Sequence, residues 1–289
     1  MSYLQSFILG LVQGIAEFLP ISSSGHLVLF QNYLGLEDTS QYLFYNVLLH
    51  VGTLVSVIFF YYKDIWKLIL AFFEIIGDLF KGKFSINKTE DTKMLSMLFV
   101  ATIPLILVLP FKSAIEMAFD SQNVMFVGLM LLVTATLLFI IDDLPKRRKE
   151  KRGERYKRSL IVGLCQMVAV LPGLSRSGAT IFGARVVNFN KEFAVKFSLL
   201  MSMIAILGAT ASEIPDLLNG GGLSVSVGTT IVGMLTAAIS GIFSIRFLVK
   251  TLNRGKFKYF SYYCGLLGII VVIMQIYSGY QGLFFTPNI

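Results

Sequence analysis

Continuous apolar runs, broken at a few points by proline, glycine and serine, fill most of this 289-residue chain. Six of them, at about 41–62, 94–112, 122–142, 192–214, 228–250 and 259–278, reach the roughly 20 residues that a helix needs to cross a bilayer. None alternates apolar with polar as the short strands of a membrane barrel do, so the pattern predicts an all-α polytopic membrane protein. Two further apolar stretches are interrupted in the middle. Residues 3–33 break at Pro20-Ile21-Ser22-Ser23-Ser24-Gly25, and residues 160–187 break at Pro172-Gly173-Leu174-Ser175-Arg176-Ser177-Gly178. Such clusters end helices, and bare backbone at membrane depth must be covered by protein or line a wet cavity. Both stretches are therefore expected to be re-entrant helix hairpins. Segment 64–80 mixes charges with aromatics and is expected at the membrane interface.

Composition agrees with this reading. The chain is 55% hydrophobic and 15% charged, where soluble domains carry roughly 25% charged residues. A net charge of +8 would ordinarily suggest nucleic acid, but its distribution points elsewhere. With the N-terminus outside and both hairpins returning to their starting side, segments 63–93, 143–158, 185–196 and 246–258 are cytoplasmic, and they hold 23 of the 25 Lys and Arg. Only Lys112 and Arg176 are left over. Short basic loops stay on the cytoplasmic side. The run Lys146-Arg147-Arg148-Lys149 is then an inner loop meeting anionic lipid, both termini are outside, and no nucleic-acid partner is expected. The N-terminus lacks the basic region and cleavage site of a secretory signal. Cys165 and Cys264 sit in apolar segments and make neither a disulfide framework nor a zinc site.

The chain repeats itself. A shift of 153 residues carries Gly10, Leu11, Gln13, Ala16, Ser22, Ser24 and Gly25 onto Gly163, Leu164, Gln166, Ala169, Ser175, Ser177 and Gly178. Each half holds one hairpin and three crossings, an odd number, so the halves are expected to insert with opposite orientation and to place a site where their broken helices meet. The organisation expected is one membrane domain: repeat one at 1–142, a basic loop at 143–158 and repeat two at 159–289. Gly10 and Gly14 are expected to serve close helix packing.

The candidate chemistry lies in the two interruptions. Gln13 and Glu17 are four residues apart and share a helix face; an ionisable group at this depth is a functional candidate. Ser22, Ser23 and Ser24 precede Gly25 and a new helix, whose free amides with those hydroxyls suit an anion. His26 lies three residues after Ser23, within reach as a base for a hydroxyl nucleophile. His50 is expected to be structural or to support the site rather than act in it. In the second interruption Arg176 occupies the repeat position of Ser23. A guanidinium stays charged and needs an anion, either Glu17 or a phosphate. Ser175, Ser177, Gly178 and Thr180 would add phosphate contacts. One carboxylate, one His, one Arg and clustered hydroxyls suit phosphoryl transfer, with Ser23 or His26 as the nucleophile and Glu17 handling a proton or a metal.

Gln13-x-x-x-Glu17-Phe18-Leu19-Pro20-Ile21-Ser22-Ser23-Ser24-Gly25-His26 and Pro172-Gly173-Leu174-Ser175-Arg176-Ser177-Gly178-Ala179-Thr180 resemble the two signatures of the bacterial undecaprenyl-diphosphatase (bacitracin resistance) family, in order and over essentially the whole chain. The resemblance implies hydrolysis of undecaprenyl diphosphate to undecaprenyl phosphate and phosphate, recycling the lipid carrier of cell-wall synthesis in the bacterial cell membrane. It also implies a divalent metal ion (Mg2+ or Ca2+), an isoprenoid diphosphate lipid as substrate, a site open to the outside and a homodimer. Glu17, Ser23, His26 and Arg176 take its catalytic positions, with Glu17 a candidate metal ligand. Gln13 stands where the family's first acidic residue falls, which weakens a two-carboxylate metal site. The competing expectation is a transporter or flippase of an anionic lipid or small anion, since inverted repeats with broken helices also suit alternating access. Transport, however, does not require a Ser and a His side by side.

Overall fold

The backbone of a continuous apolar run, too long and unalternating for a barrel strand, satisfies its amides inside a membrane as a helix. The computed structural model is helical throughout and describes residues 1–36, 42–82, 86, 88–111, 114, 124–144, 154–218, 225–252 and 257–281. Among the described residues there are ten α helices: α1 (Tyr3–Phe18), α2 (Ser23–Tyr33), α3 (Leu43–Phe80), α4 (Glu90–Ile106), α5 (Val124–Ile141), α6 (Glu154–Val168), α7 (Arg176–Val186), α8 (Lys191–Leu218), α9 (Val227–Leu252) and α10 (Lys258–Gln281). Six of these helical stretches, Leu43–Phe80, Glu90–Phe111, Val124–Ile141, Lys191–Ser212, Val227–Thr251 and Lys258–Ser278, are long and apolar enough to cross a membrane, matching the six runs read from the pattern. Large apolar side chains such as Phe59, Phe73, Ile103, Phe243 and Leu266 face outward, the surface that a lipid solvent tolerates.

The two interrupted stretches fold as short helix pairs, α1 with α2 and α6 with α7. α1 lies against α9 and α6 against α4. Glycine makes both approaches close. A Cβ on Gly10 or Gly14 would collide with backbone of α9 at Gly233 or Ala237, and one on Gly163 would collide with Ala101 of α4. The packing expected of Gly10 and Gly14 is thus present. α5 packs along α10, and α3 touches α1, α4, α8 and α9.

Segment 64–80 is helical and follows the first apolar run directly. It continues α3 as one 38-residue helix through a kink at Tyr61 (φ −110°, ψ 24°). The kink falls where the apolar run gives way to charge, and beyond it Asp64 is met by Lys196 of α8 at 2.6 Å. α6 begins earlier than expected, at Glu154. The basic run at 146–149, Lys112 and most of the loop at 143–158 lie outside the described residues.

Candidate active site

α1 carries Gln13 and Glu17 on one face, both buried. Leu19, just ahead of Pro20, takes extended backbone (φ −66°, ψ 141°) because the proline ring disfavours a helical residue before it. The helix ends there. It resumes at Ser23, capped by Ser22, whose hydroxyl accepts the Gly25 amide at 3.2 Å. In the second pair, Ser175 caps α7 by accepting the Gly178 amide at 3.1 Å. The triplets Ser23-Ser24-Gly25 and Arg176-Ser177-Gly178, expected inside the interruptions, are therefore the first turns of α2 and α7. A serine N-cap starts the helix one residue after itself.

The two breaks touch each other. Ser177 Oγ donates to the Leu19 carbonyl at 3.2 Å. A Cβ on Gly25 would stand 2.9 Å from Gly173 Cα, and one on Gly178 3.5 Å from Pro20 Cβ. Thr134 of α5 fixes the second break: its hydroxyl accepts the Ser175 amide at 3.0 Å and donates to the Gly173 carbonyl at 3.2 Å.

Across this junction Arg176 Nη2 meets Glu17 Oε1 at 2.5 Å. Glu17 Oε2 accepts from Ser23 Oγ at 2.5 Å and from Gln13 Nε2 at 3.0 Å, with His50 Nε2 3.4 Å away. The Glu17 side chain is 2% exposed. A charge so buried is tolerable only when paired and fully hydrogen-bonded, and here every neighbour of the carboxylate is a donor or can become one. Arg176 Nη1 also points to the Ser202 carbonyl at 3.5 Å.

His26 is held at both nitrogens. Nδ1 lies 2.7 Å from the Ser22 carbonyl, and Nε2 lies 2.7 Å from the Tyr263 hydroxyl, with the two rings stacked. A carbonyl only accepts, so Nδ1 carries the hydrogen and, in the neutral ring, Nε2 holds the lone pair. The expected Ser23–His26 pairing is not among the hydrogen bonds of the described residues, because the Ser23 hydroxyl turns to the stronger acceptor, Glu17. Ser22 Oγ and Ser24 Oγ are 3.4 Å apart, and Ser175 Oγ and Ser177 Oγ 3.2 Å. Thr180 Oγ1 is 2.8 Å from the Arg176 carbonyl and 2.6 Å from Ser198 Oγ.

Gln13, Glu17, Ser23 and Arg176 therefore form one bonded cluster, flanked by His26 and the two serine caps. Sequence reasoning gave no role to Tyr263, Thr134, Asn46 or Ser198, and gave His50 only a supporting one. Tyr263 is one of 12 tyrosines, sits in an apolar helix and is 237 residues from its partner, so no local pattern could single it out. His50 is placed by Asn46, whose carbonyl lies 2.7 Å from its Nδ1.

A cavity of about 460 Å³ opens beside the cluster. Ser23, Ser24, Asn46, His50, Gln166 and Arg176 are among its polar lining, and Leu105, Ile106, Leu109, Val170, Leu174, Ile204 and Ile206 supply apolar wall. The arrangement suits an amphiphile with an anionic head. A protein-held metal fits less well. Among the described residues no three His, Cys, Asp or Glu side chains come together, and both Glu17 oxygens are already engaged.

Comparison with known proteins places this geometry in context. The family described as "Bacitracin resistance protein BacA" matches residues 6–270. A protein of Alkaliphilus metalliredigens (strain QYMF) named undecaprenyl-diphosphatase is 40% identical over 277 residues, covering 96% of this chain and 100% of the relative. Proteins of the same name from Methanosphaera stadtmanae and Carboxydothermus hydrogenoformans are 38% and 34% identical, covering 94% and 95% of this chain and 98% of each relative. With a match over most of its length and relatives aligned nearly end to end, the chain belongs to the bacitracin resistance protein BacA family.

Proposed function

We propose that this membrane protein hydrolyses undecaprenyl diphosphate to undecaprenyl phosphate and inorganic phosphate, recycling the lipid carrier of cell-wall synthesis and so conferring bacitracin resistance. The observation that carries the proposal is the buried Glu17–Arg176 pair with Ser23 bonded to the same carboxylate, beside an apolar-walled cavity. In the free enzyme Arg176 neutralises Glu17. An incoming diphosphate offers the guanidinium a better anion, and a Glu17 released from Arg176 becomes a stronger base. Ser23 Oγ then attacks the terminal phosphorus while its proton passes to Glu17 Oε2. The bridging P–O bond breaks, undecaprenyl phosphate leaves, and Ser23 carries the phosphoryl group. His26, its Nδ1 held by Ser22, exchanges the Tyr263 hydroxyl for water at Nε2 and takes a proton from that water, which attacks the phosphoserine. The Ser23 Oγ–P bond breaks, phosphate departs, Glu17 returns its proton to Ser23 and His26 passes its own to solvent. Arg176, the α2 and α7 first-turn amides and the hydroxyls of Ser22, Ser24 and Ser175 stabilise the phosphoryl oxygens, while Ser177 ties the two breaks together through the Leu19 carbonyl and Gly25 and Gly178 let the two turns approach. Glu17 would be the carboxylate to hold a divalent cation carried by the diphosphate, and no step depends on it.

The matching contacts of α1 on α9 and α6 on α4 support two oppositely inserted halves. The basic segments would lie inside and both termini outside. The cavity is lined by Leu105, Ile106 and Leu109, at the end of α4 away from Glu90 and Lys93, which supports an opening to the outside. The test is phosphate release from undecaprenyl diphosphate by purified protein in detergent. Glu17→Ala, Ser23→Ala, His26→Ala and Arg176→Ala should each lose most turnover; near wild-type turnover in both the Glu17 and Arg176 variants would overturn the assignment.

A further inference from the structure

We infer that Gln166 is a substrate-binding residue whose side-chain amide holds the terminal phosphoryl group, an inference that rests on the diphosphatase reading. Gln166 lies on α6, is 1% exposed, and neither its Nε2 nor its Oε1 has a hydrogen-bond partner among the described residues. A buried amide with both ends unpaired destabilises the fold. Such exceptions are rare enough in native proteins to require a reason.

The repeat supplies the reason for the missing partner. Gln13 is the equivalent residue of the first half, and its Nε2 donates to Glu17 one turn later at 3.0 Å. The residue one turn after Gln166 is Val170, which accepts nothing. The second half therefore keeps the amide and lacks the carboxylate that occupies it in the first half.

The amide also borders the right space. Gln166 lines the same cavity as Ser23 and Arg176. Its nearest lining neighbours along the chain, Ala169 and Val170, offer no side-chain hydrogen bond. An isoprenoid tail would be better met here by leucine or methionine, because burying an amide against hydrocarbon is unfavourable. A phosphoryl group matches both ends of the amide. Nε2 donates to a P–O⁻ oxygen, and Oε1 accepts from a P–OH, which a terminal phosphate carries near neutral pH. Arg176 supplies the charge and Gln166 a neutral, directional contact.

The test uses the full chain in detergent with Gln166→Met and Gln166→Glu. For Gln166→Met we expect KM for the lipid diphosphate and the inhibition constant for inorganic pyrophosphate to rise about tenfold or more, with kcat changing less. Its melting temperature without ligand should be equal to wild type or higher, since an unpaired amide gives way to an apolar chain of similar length. Gln166→Glu should bind pyrophosphate more weakly still, because a carboxylate repels it. Wild-type KM and pyrophosphate inhibition in Gln166→Met would overturn the inference, as would a lowered melting temperature with unchanged KM, which marks a packing role. If the wild-type protein releases no phosphate, the diphosphatase reading fails on its own. Pyrophosphate would then still have to raise the melting temperature of wild type and not of Gln166→Met, and equal protection of both would overturn the amide contact.

Discussion

The two helix pairs share a template and divide the chemistry. Each has a buried glutamine on its first helix, a break of a few residues, a serine cap and a glycine in the new first turn. In the first pair the glutamine is followed by Glu17, and the residue after the cap is Ser23. In the second pair the same positions hold Val170 and Arg176. One half thus carries the carboxylate and a hydroxyl, the other the guanidinium and an unengaged amide. The unusual backbone is divided too. It falls on Ser22 (φ 73°) in the first pair, where a side chain must bear the left-handed conformation, and on Gly173 (φ 89°) in the second, where none exists. Strain kept on a serine beside the reacting groups is the kind that functional sites retain. A repeated scaffold can carry opposite charges at different positions of its two halves, and tertiary contact then brings the two together.

That division can be broken by removing one charge. Arg176→Met should lower turnover by about 10³-fold or more. It should also lower stability by about 3 kcal/mol, because Glu17 is left buried and unpaired. Adding Glu17→Gln should restore much of the stability and none of the activity; chemical denaturation together with phosphate release separates the two. Next in size, Ser23→Ala should lower kcat by about 10²–10³-fold, while Ser177→Ala, whose hydroxyl is spent on the Leu19 carbonyl, should lose less than about tenfold. Equal losses would mean that the first half holds no special nucleophile.

The backbone comparison is sharpened by Gly173→Ala. A Cβ there would stand 2.6 Å from the Val127 carbonyl oxygen in a conformation that alanine resists. A loss of about 3 kcal/mol in thermal or denaturant unfolding is expected. The smallest effect belongs to Thr180→Val. The equivalent residue of the first half, Leu27, is apolar and fully packed, so losing the Thr180 hydroxyl should cost about 1 kcal/mol, chiefly from leaving Ser198 Oγ without its 2.6 Å partner. Turnover should stay within a few-fold of wild type; a large loss would move Thr180 into direct phosphate contact.

Much of this was legible in the chain. Six spans followed from uninterrupted apolar length, and the two breaks from proline and glycine. Glu17 and Arg176 were identifiable as partners because ionised groups in apolar stretches must find one another or an anion. Legibility ended where a position depended on a residue far away in sequence. Tyr263 meets His26, Thr134 pins the second break and His50 approaches Glu17, yet each looks like an ordinary residue of its own helix. Where the apolar run gives way to charges near residue 62, the helix kinks at Tyr61. Beyond the kink Asp64 meets Lys196 on another helix, a contact that no local pattern shows.

The sequence by itself determined that the chain is helical, how often it can cross a membrane, where two helices must stop and which residue types stand at those stops. These follow from local sterics and from the length of apolar runs, which neighbours in the chain set. Only the tertiary structure decided that Ser23 bonds to Glu17 instead of His26, that His26 is held by Tyr263, and that Gln166 stays unpaired beside the cavity. Hydrogen bonds are settled within about 3 Å, and which groups come that close depends on how whole helices pack.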